Sequence, residues 1–465
     1  MKEKRAWKEK YIGDKAFYMR VFILVIPMIL QATITNAVSL LDNVMVGKVG
    51  TAQMSGVSIV NQFIFIFNIT IFGAVSGPSI FGAQFCGKSD YEGQKYTFRF
   101  RLLVSAVLVF LGITVLQGFS TQLISLYLSK KDSKKMIAAT LHYGKEYMEI
   151  MVLGLIPFGI GQAYASVVRE SGITIVQMLA SFFAVGINLV LDYGLIFGKL
   201  GMPQMGVSGA ALATVIAKSI EAFIIIVWVH ADKKRNPYIK GIFKGFYIPA
   251  DLTKQMIKKG FPLFVNEFLW AAGMSVIAQC YSARGINVVA ARNIASTIGN
   301  LFNVVFIQMG ACIGIIVGQS LGAGKQEEAR DENNKLLAFS VFLSAIAGML
   351  MLPLAKCFPD FYNTEIQIKK LASFFIIVQA LANPMWSYTN ACYFTLRSGG
   401  KTGITFLFDF IFTWFIMIPL AFVLAYFTDM EIHLLFVVIT FSELIKVAVG
   451  YFMVRSDIWV NTIIE

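Results

Sequence analysis

An acid inside a long apolar run is the first chemical signal in this chain. The run from Ile173 to Gly198, ITIVQMLASFFAVGINLVLDYGLIFG, contains Asp192 as its one acid and no Lys or Arg. Asn188 lies four residues earlier, so a helix places the two side chains one turn apart on the same face. At 1.5 Å per residue the run is long enough to cross a hydrocarbon layer of about 30 Å. A carboxylate there costs about 2.5–3.5 kcal/mol on insertion scales, so it faces a protein interior and commonly marks an ion or proton path. A structural hydrogen bond between helices is the other reading. Asp42 sits near the outer end of a separate apolar run, and Thr214 lies about eight residues into a third. Spacing therefore puts Asp42, Asn188, Asp192 and Thr214 at similar depth in the outer half of a bilayer. Two carboxylates, an amide oxygen and a hydroxyl form an all-oxygen set of the kind that hard cations such as Na⁺ choose. Two carboxylates held close also repel, so that one retains a proton and the pair becomes a proton carrier. If the three helices are not neighbours, each group is merely hydrogen-bonded.

Composition sets the frame for this chemistry. The chain has 465 residues, of which 57% are hydrophobic and 14% charged, against about 25% charged in soluble proteins. Mean hydropathy is +0.68. These values exclude an ordinary soluble enzyme. The net charge of +13 would suggest nucleic acid in a soluble chain. Here the bases cluster between apolar runs, the pattern that orients membrane proteins, so no nucleic-acid partner is expected. The strands of a β-barrel would alternate over segments of about ten residues, and these runs do not. The five cysteines, Cys86, Cys280, Cys312, Cys357 and Cys392, are scattered with no CxxC, and there are three histidines. Free thiols and no structural zinc or haem follow. The basic N-terminus, MKEKRAWKEKYIGDK, precedes a run of full spanning length without a small-residue cleavage site, so no cleaved signal peptide is expected.

Twelve spanning helices are predicted, at 17–43, 52–84, 99–121, 138–165, 173–198, 206–230, 259–283, 289–319, 335–356, 367–395, 402–426 and 432–454. Lys and Arg are concentrated in alternate connections, which places both termini in the cytoplasm. The fold class expected is an all-α polytopic membrane protein.

The chain also reads as a duplication. IPMIL around Pro27 resembles FPLFV around Pro262, and AQFCGKSDYEGQK resembles GQSLGAGKQEEAR, matching Gln84 with Gln319 and Gly87 with Gly322 at one offset of 235. Pro157, Ser171 and Gly172 match Pro384, Ser398 and Gly399 at 227, and Thr214 and Lys218 match Ser442 and Lys446 at 228. The ordered series implies two six-helix halves, 1–230 and 259–465, joined by a basic linker over 231–258. An even number of spans per repeat relates the halves by an axis along the membrane normal, with a V-shaped cleft between them.

At these motifs the chain resembles a known family. LLDNVMVGKVG, AQFCGK, RESG, NLVLDYGLIFG and GVSGAALATVIAKSIE, set in twelve spans, look like a multidrug and toxin extrusion (MATE) transporter. The resemblance implies an antiporter that exports organic, mostly cationic amphipathic compounds in exchange for Na⁺ or H⁺. It also implies Asp42, Asn188, Asp192 and Thr214 as the first-half cation site. Glu267 resembles a seventh-helix glutamate important in some members; the tenth-helix aspartate that often accompanies it is missing here. Asp409 lies at similar depth in the eleventh run and could interact with Glu267. Glu443, three residues before Lys446 on one helix face, suggests an internal ion pair. Trp270, Trp386 and Tyr388 are candidates to line a substrate pocket, because aromatic faces attract organic cations. No HExxH or GxSxG appears, so an enzyme is not expected. The expectations are a monomer in the cytoplasmic membrane with no cofactor beyond the coupling ion. The alternative is a lipid-linked precursor flippase of the same superfamily, which the scarcity of intramembrane bases disfavours.

Overall fold

The structure is a computed structural model that describes residues 7–128, 133–362 and 364–464. Residues 1–6, with the first bases of the N-terminal segment, lie outside them. Among the described residues twelve helices are long and apolar enough to cross a membrane, and no strand is present. We label them α1 (Lys15–Gly47), α2 (Thr51–Lys88), α3 (Tyr91–Gly118), α4 (Lys134–Glu170), α5 (Ile175–Phe197) and α6 (Val207–Ala231). The series continues with α7 (Ala250–Ser282), α8 (Ile286–Gly322), α9 (Gln326–Cys357), α10 (Ile366–Ser398), α11 (Thr402–Phe427) and α12 (Ile432–Arg455). Helices are what such runs must form in lipid, since every backbone N–H and C=O then finds a partner within its own segment.

Several helices depart from uniform α geometry. A 3₁₀ turn, Val152–Gly154, interrupts α4 just before Pro157. In α11 the residues Phe412–Met417 form a π-helix, directly after Asp409. A turn at Ser442 and Glu443 breaks α12. Helix α9 begins at Gln326, well before the predicted 335. Its charged first turns, QEEARDENNK, fall below any hydropathy threshold yet continue the helix, with Glu327 and Glu328 at the N-terminal end of the dipole.

Contacts divide the chain into two compact units. The N-terminal unit comprises Leu30–Gly82 and Tyr91–Met256; the C-terminal unit comprises Met1–Ile29, Ala83–Asp90 and Ile257–Glu465. Helices α1 and α2 therefore each contribute to both units, a division that no sequence boundary at 230 or 259 describes. Pro27 lies just before the change of unit within α1, where its missing N–H removes one helix bond.

In α5 small and polar residues turn inward. The buried positions are Gln177, Ala180, Ser181, Ala184, Asn188 and Asp192, with Gly194, Leu195 and Ile196 in the last turn, while Ile175, Leu179, Phe182, Phe183 and Val190 are exposed. Large apolar side chains meet lipid, and small or polar ones face protein, which lets helices approach closely. The glycines show how close. A Cβ added at Gly209 of α6 would lie 2.7 Å from the Leu195 backbone of α5.

The N-terminal unit is also held by a buried ion pair. Arg101 of α3, 0% exposed, donates to Glu170 Oε2 at 2.7 Å, to Ser166 Oγ at 2.9 Å and to the Pro78 carbonyl at 3.0 Å. In the C-terminal unit the ends of α2 and α8 cross at two matched points. A Cβ on Gly87 would fall 1.9 Å from the Gln319 carbonyl oxygen, and one on Gly322 would fall 1.9 Å from that of Gln84. The residues matched by the repeat thus touch each other. Gln84 further donates to the Ser398 and Asn461 carbonyls, and its Oε1 accepts from Ile463 N, which fixes the tail after α12.

Backbone against backbone leaves no side chain that could yield at this crossing. We predict that Gly322→Val abolishes folded protein, read as loss of the monodisperse peak in detergent size-exclusion chromatography. Gly186→Val, where nothing lies within 4 Å of an added Cβ, is expected to run as wild type.

Candidate cation site and a second polar cluster

The polar stripe of α5 turns Asn188 and Asp192 inward together. Asp192 is 1% exposed and Asn188 5%, while Asp42, near the far end of α1, is half-buried. The Asp42 and Asp192 carboxyls lie close enough to interact, and the Asn188 amide lies beside Asp192. None closes a hydrogen bond of ordinary geometry. Among the described residues, both oxygens of Asp192, Oδ1 of Asp42 and Nδ2 of Asn188 are buried without a partner. Such groups are costly unless something else satisfies them. Thr214 Oγ1 donates to the Ala210 carbonyl of its own helix at 3.0 Å. Its lone pairs remain available, but the hydrogen bond does not tie it to the carboxyls.

Two further groups belong to this neighbourhood. Tyr147 of α4, 5% exposed, lies within electrostatic range of both Asp42 and Asp192, and its hydroxyl donates to Asn61 Oδ1 at 3.2 Å. Sequence reasoning passed over both. Tyr147 stands between Glu146 and Glu149 in an amphipathic segment, and only packing of α4 against the site reveals it.

The C-terminal unit treats its acids differently. Lys446 Nζ of α12 forms a short ion pair with Asp409 Oδ1 and lies 3.5 Å from Glu443 Oε1. Asn266 of α7 donates to Asp409 Oδ2 at 3.0 Å. The Lys446 ammonium also sits 5.2 Å and 5.6 Å from the ring centroids of Phe408 and Phe412. Glu267, the next residue on α7, has Arg397, Asp409 and Tyr393 as its electrostatic neighbours. Trp270 borders a crevice too narrow to hold water, lined also by Asn266, Leu269, Asp409, Phe410, Thr413 and Trp414. Trp414 Nε1 donates to the Leu269 carbonyl at 3.2 Å, pinning the π-helical turn to α7. Among the described residues no hydrogen bond, ion pair or ring contact ties Trp386 or Tyr388 of α10 to this group; the neighbours of Tyr388 are Cys392, Tyr451 and Tyr11.

The two clusters occupy equivalent places. Gln31 Nε2 of α1 donates to Ser181 Oγ of α5 at 2.8 Å, as Asn266 of α7 donates to Asp409 of α11. Asn266 follows Gln31 by 235 positions, and Asp409 follows Ser181 by 228, the offsets of the sequence repeat. In the N-terminal unit Ser181 donates to Glu221, and Lys218 pairs with Glu221 at 2.9 Å. A helix-one amide, a helix-five group and a helix-six lysine are thus linked in both repeats.

Comparison with known proteins agrees with this plan. The MatE family profile matches residues 27–194 and 262–423. The chain belongs to the MatE family. It is accordingly a transporter and not an enzyme, with twelve membrane-spanning helices. Similar proteins include a probable multidrug resistance protein NorM of Thermotoga maritima, 22% identical over 86% of this chain and 84% of that one. The fold is similar to a MATE protein solved in complex with MaD3S, with a TM-score of 0.84 at 18% identity over 97% of each chain. It is also similar to a multidrug resistance MATE family transporter of the MOP superfamily in an outward-facing conformation, with a TM-score of 0.83 at 18% identity over 97% of each chain.

Within this MatE chain the two acid clusters should answer substitution in opposite ways. Removing Lys446 leaves Asp409 and Glu443 buried without their counter-charge, whereas Asp192 has no partner to lose. We predict that Lys446→Met destabilises the folded protein by about 3–5 kcal/mol, seen as a marked fall in melting temperature in detergent. Asp192→Asn should leave the melting temperature unchanged or raised, because it removes an unpaired buried carboxylate.

Proposed function

We propose that this protein is a secondary active antiporter that exports organic, mostly cationic amphipathic compounds in exchange for Na⁺ or H⁺. The observation that carries the reading is the pairing of Asp42 and Asp192 in the interior, with three carboxylate oxygens that no donor among the described residues satisfies. A proton or a hard cation supplies what those oxygens lack. With Asn188 and Thr214 the donor set is all oxygen, which fits Na⁺ as well as a shared proton. The names carried by relatives, multidrug resistance protein NorM and multidrug resistance MATE family transporter, support the export of diverse compounds.

Substrate recognition in this reading falls to Glu267, Asp409 and the aromatics Trp270, Trp386 and Tyr388. Asp409 is already engaged by Lys446 and Asn266, which leaves Glu267, beside Arg397 and Tyr393, to answer a cationic substrate. The protein works as a monomer in the cell membrane with both termini cytoplasmic. Its two halves, 1–230 and 259–465 joined through 231–258, alternate access to the two sides of the membrane. Ion binding at Asp42 and Asp192 removes charge repulsion and lets α1 and α5 repack, which shifts the access equilibrium only as far as the two states differ in affinity. Linkage then requires ion and drug to weaken each other equally, typically by 5–150-fold.

Proteoliposomes loaded with a fluorescent lipophilic cation, and given a Na⁺ or a pH gradient one at a time, test the proposal. At least one gradient is expected to drive transport. Asp42→Asn and Asp192→Asn should each reduce it to the level of empty liposomes while protein content stays constant. Wild-type rates in both variants would remove the site assignment. A drug affinity that changes neither with saturating Na⁺ nor between about pH 5 and 8 would remove the coupling.

A further inference from the structure

The connection after α6 is basic in sequence, and the structure gives it a fixed shape. Arg99 of α3 reaches into it and donates to four carbonyls, Ile242 at 2.8 Å, Tyr247 at 3.0 Å, Gly241 at 3.1 Å and Lys244 at 3.2 Å. Tyr238, Ile239 and Ile242 are buried in the core around Phe98 and Tyr164. The Tyr238 hydroxyl donates to the buried Asn236 at 3.0 Å. Phe243 stacks on His230, in the last turn of α6, with ring planes 7° apart. The loop is therefore a platform at the level where α3 begins and α6 ends.

What this platform presents outward is unusual for a surface in water. Phe243, Phe246 and Tyr247 are 62%, 51% and 67% exposed. Lys240 and Lys244 are exposed among them, and neither forms an ion pair among the described residues. Lys233, Lys234 and Arg235 are exposed next to them, while Asp232 is engaged with Arg235 at 3.6 Å. Exposed rings at the end of a spanning helix belong at the boundary between headgroups and acyl chains, where an amphipathic ring is favoured. Lysines interleaved with those rings face the phosphate layer.

We propose that the platform over residues 240–247 is a binding site for anionic phospholipid headgroups of the adjoining leaflet, with Lys240 and Lys244 holding the phosphate and Phe243, Phe246 and Tyr247 seated against the upper acyl chain. Arg99 is a positioning residue for this surface, since its guanidinium is consumed by loop carbonyls. The site anchors the segment that joins the two sequence repeats to the membrane surface.

Native mass spectrometry of the full chain in detergent, with dioctanoyl phosphatidylglycerol, dioctanoyl phosphatidylcholine or glycerol phosphate, tests this. Phosphatidylglycerol should bind at least tenfold tighter than phosphatidylcholine. Lys240→Gln and Lys244→Gln should each weaken it about fivefold, and the double variant on the order of twentyfold. Phe246→Ser with Tyr247→Ser should weaken both lipids alike. In the unmodified protein, added salt should weaken phosphatidylglycerol and leave phosphatidylcholine unchanged. Equal affinity for the two lipids, or an undiminished preference in the double lysine variant, overturns the proposal. So does glycerol phosphate binding as tightly as the lipid, which would mark a site for free phosphate.

Discussion

A polar group in hydrocarbon has no water to turn to, and the arrangement of this protein follows from that constraint. It decides that α5 buries Gln177, Ser181, Asn188 and Asp192 and offers Phe182 and Phe183 to lipid. It also calls for polar partners around each buried base. Arg101 meets this with a carboxylate, a hydroxyl and a carbonyl. Lys446 meets it with two carboxylates and two aromatic faces. Among the described residues both oxygens of Asp192 and Oδ1 of Asp42 have no such partner. An unsatisfied buried acid is expensive to keep, and here two such acids lie side by side.

Duplication explains how one chain carries both solutions. The amide on the first helix of each repeat, Gln31 or Asn266, donates to the fifth, and the lysine on the sixth, Lys218 or Lys446, completes the network. The repeats differ in what stands between. Ser181 passes the interaction to Glu221, while Asp409 takes the lysine itself. In the C-terminal unit an ammonium carried by the protein fills the role of counter-ion to Asp409 and Glu443. Divergence after duplication has kept the helix packing, as the crossing of Gly87 and Gly322 requires, and changed the charge.

Much of this was legible in the sequence because a bilayer restricts the choices. Twelve apolar runs can form only helices, a charge within a run must face inward, and residues four apart in a helix share a face. Those rules placed Asn188 with Asp192 and Lys446 with Glu443. The repeat pairs Gln84 with Gln319 and Gly87 with Gly322 were equally visible, since backbone contact leaves glycine no substitute. Less visible were the charged start of α9, which continues a helix outside the apolar run, and the π-helical turn after Asp409, which depends on Trp414 reaching the Leu269 carbonyl on another helix.

Tertiary structure alone decided which helices are neighbours. Depth along a helix can be counted, but azimuth between helices cannot, so the meeting of Asp42 with Asp192 and the presence of Tyr147 beside them required the packed chain. The same reason separates Trp270, which borders the Asp409 crevice, from Tyr388, which turns to Cys392. It also explains why α1 and α2 divide between two compact units although the sequence repeat assigns each of them whole to one half. Sequence determined the elements, their inward faces and their chemistry through rules that act within a single helix. Which carboxylate is paired, which is left open and which loop is held rigid by Arg99 are contacts between segments far apart in the chain, and only packing sets them.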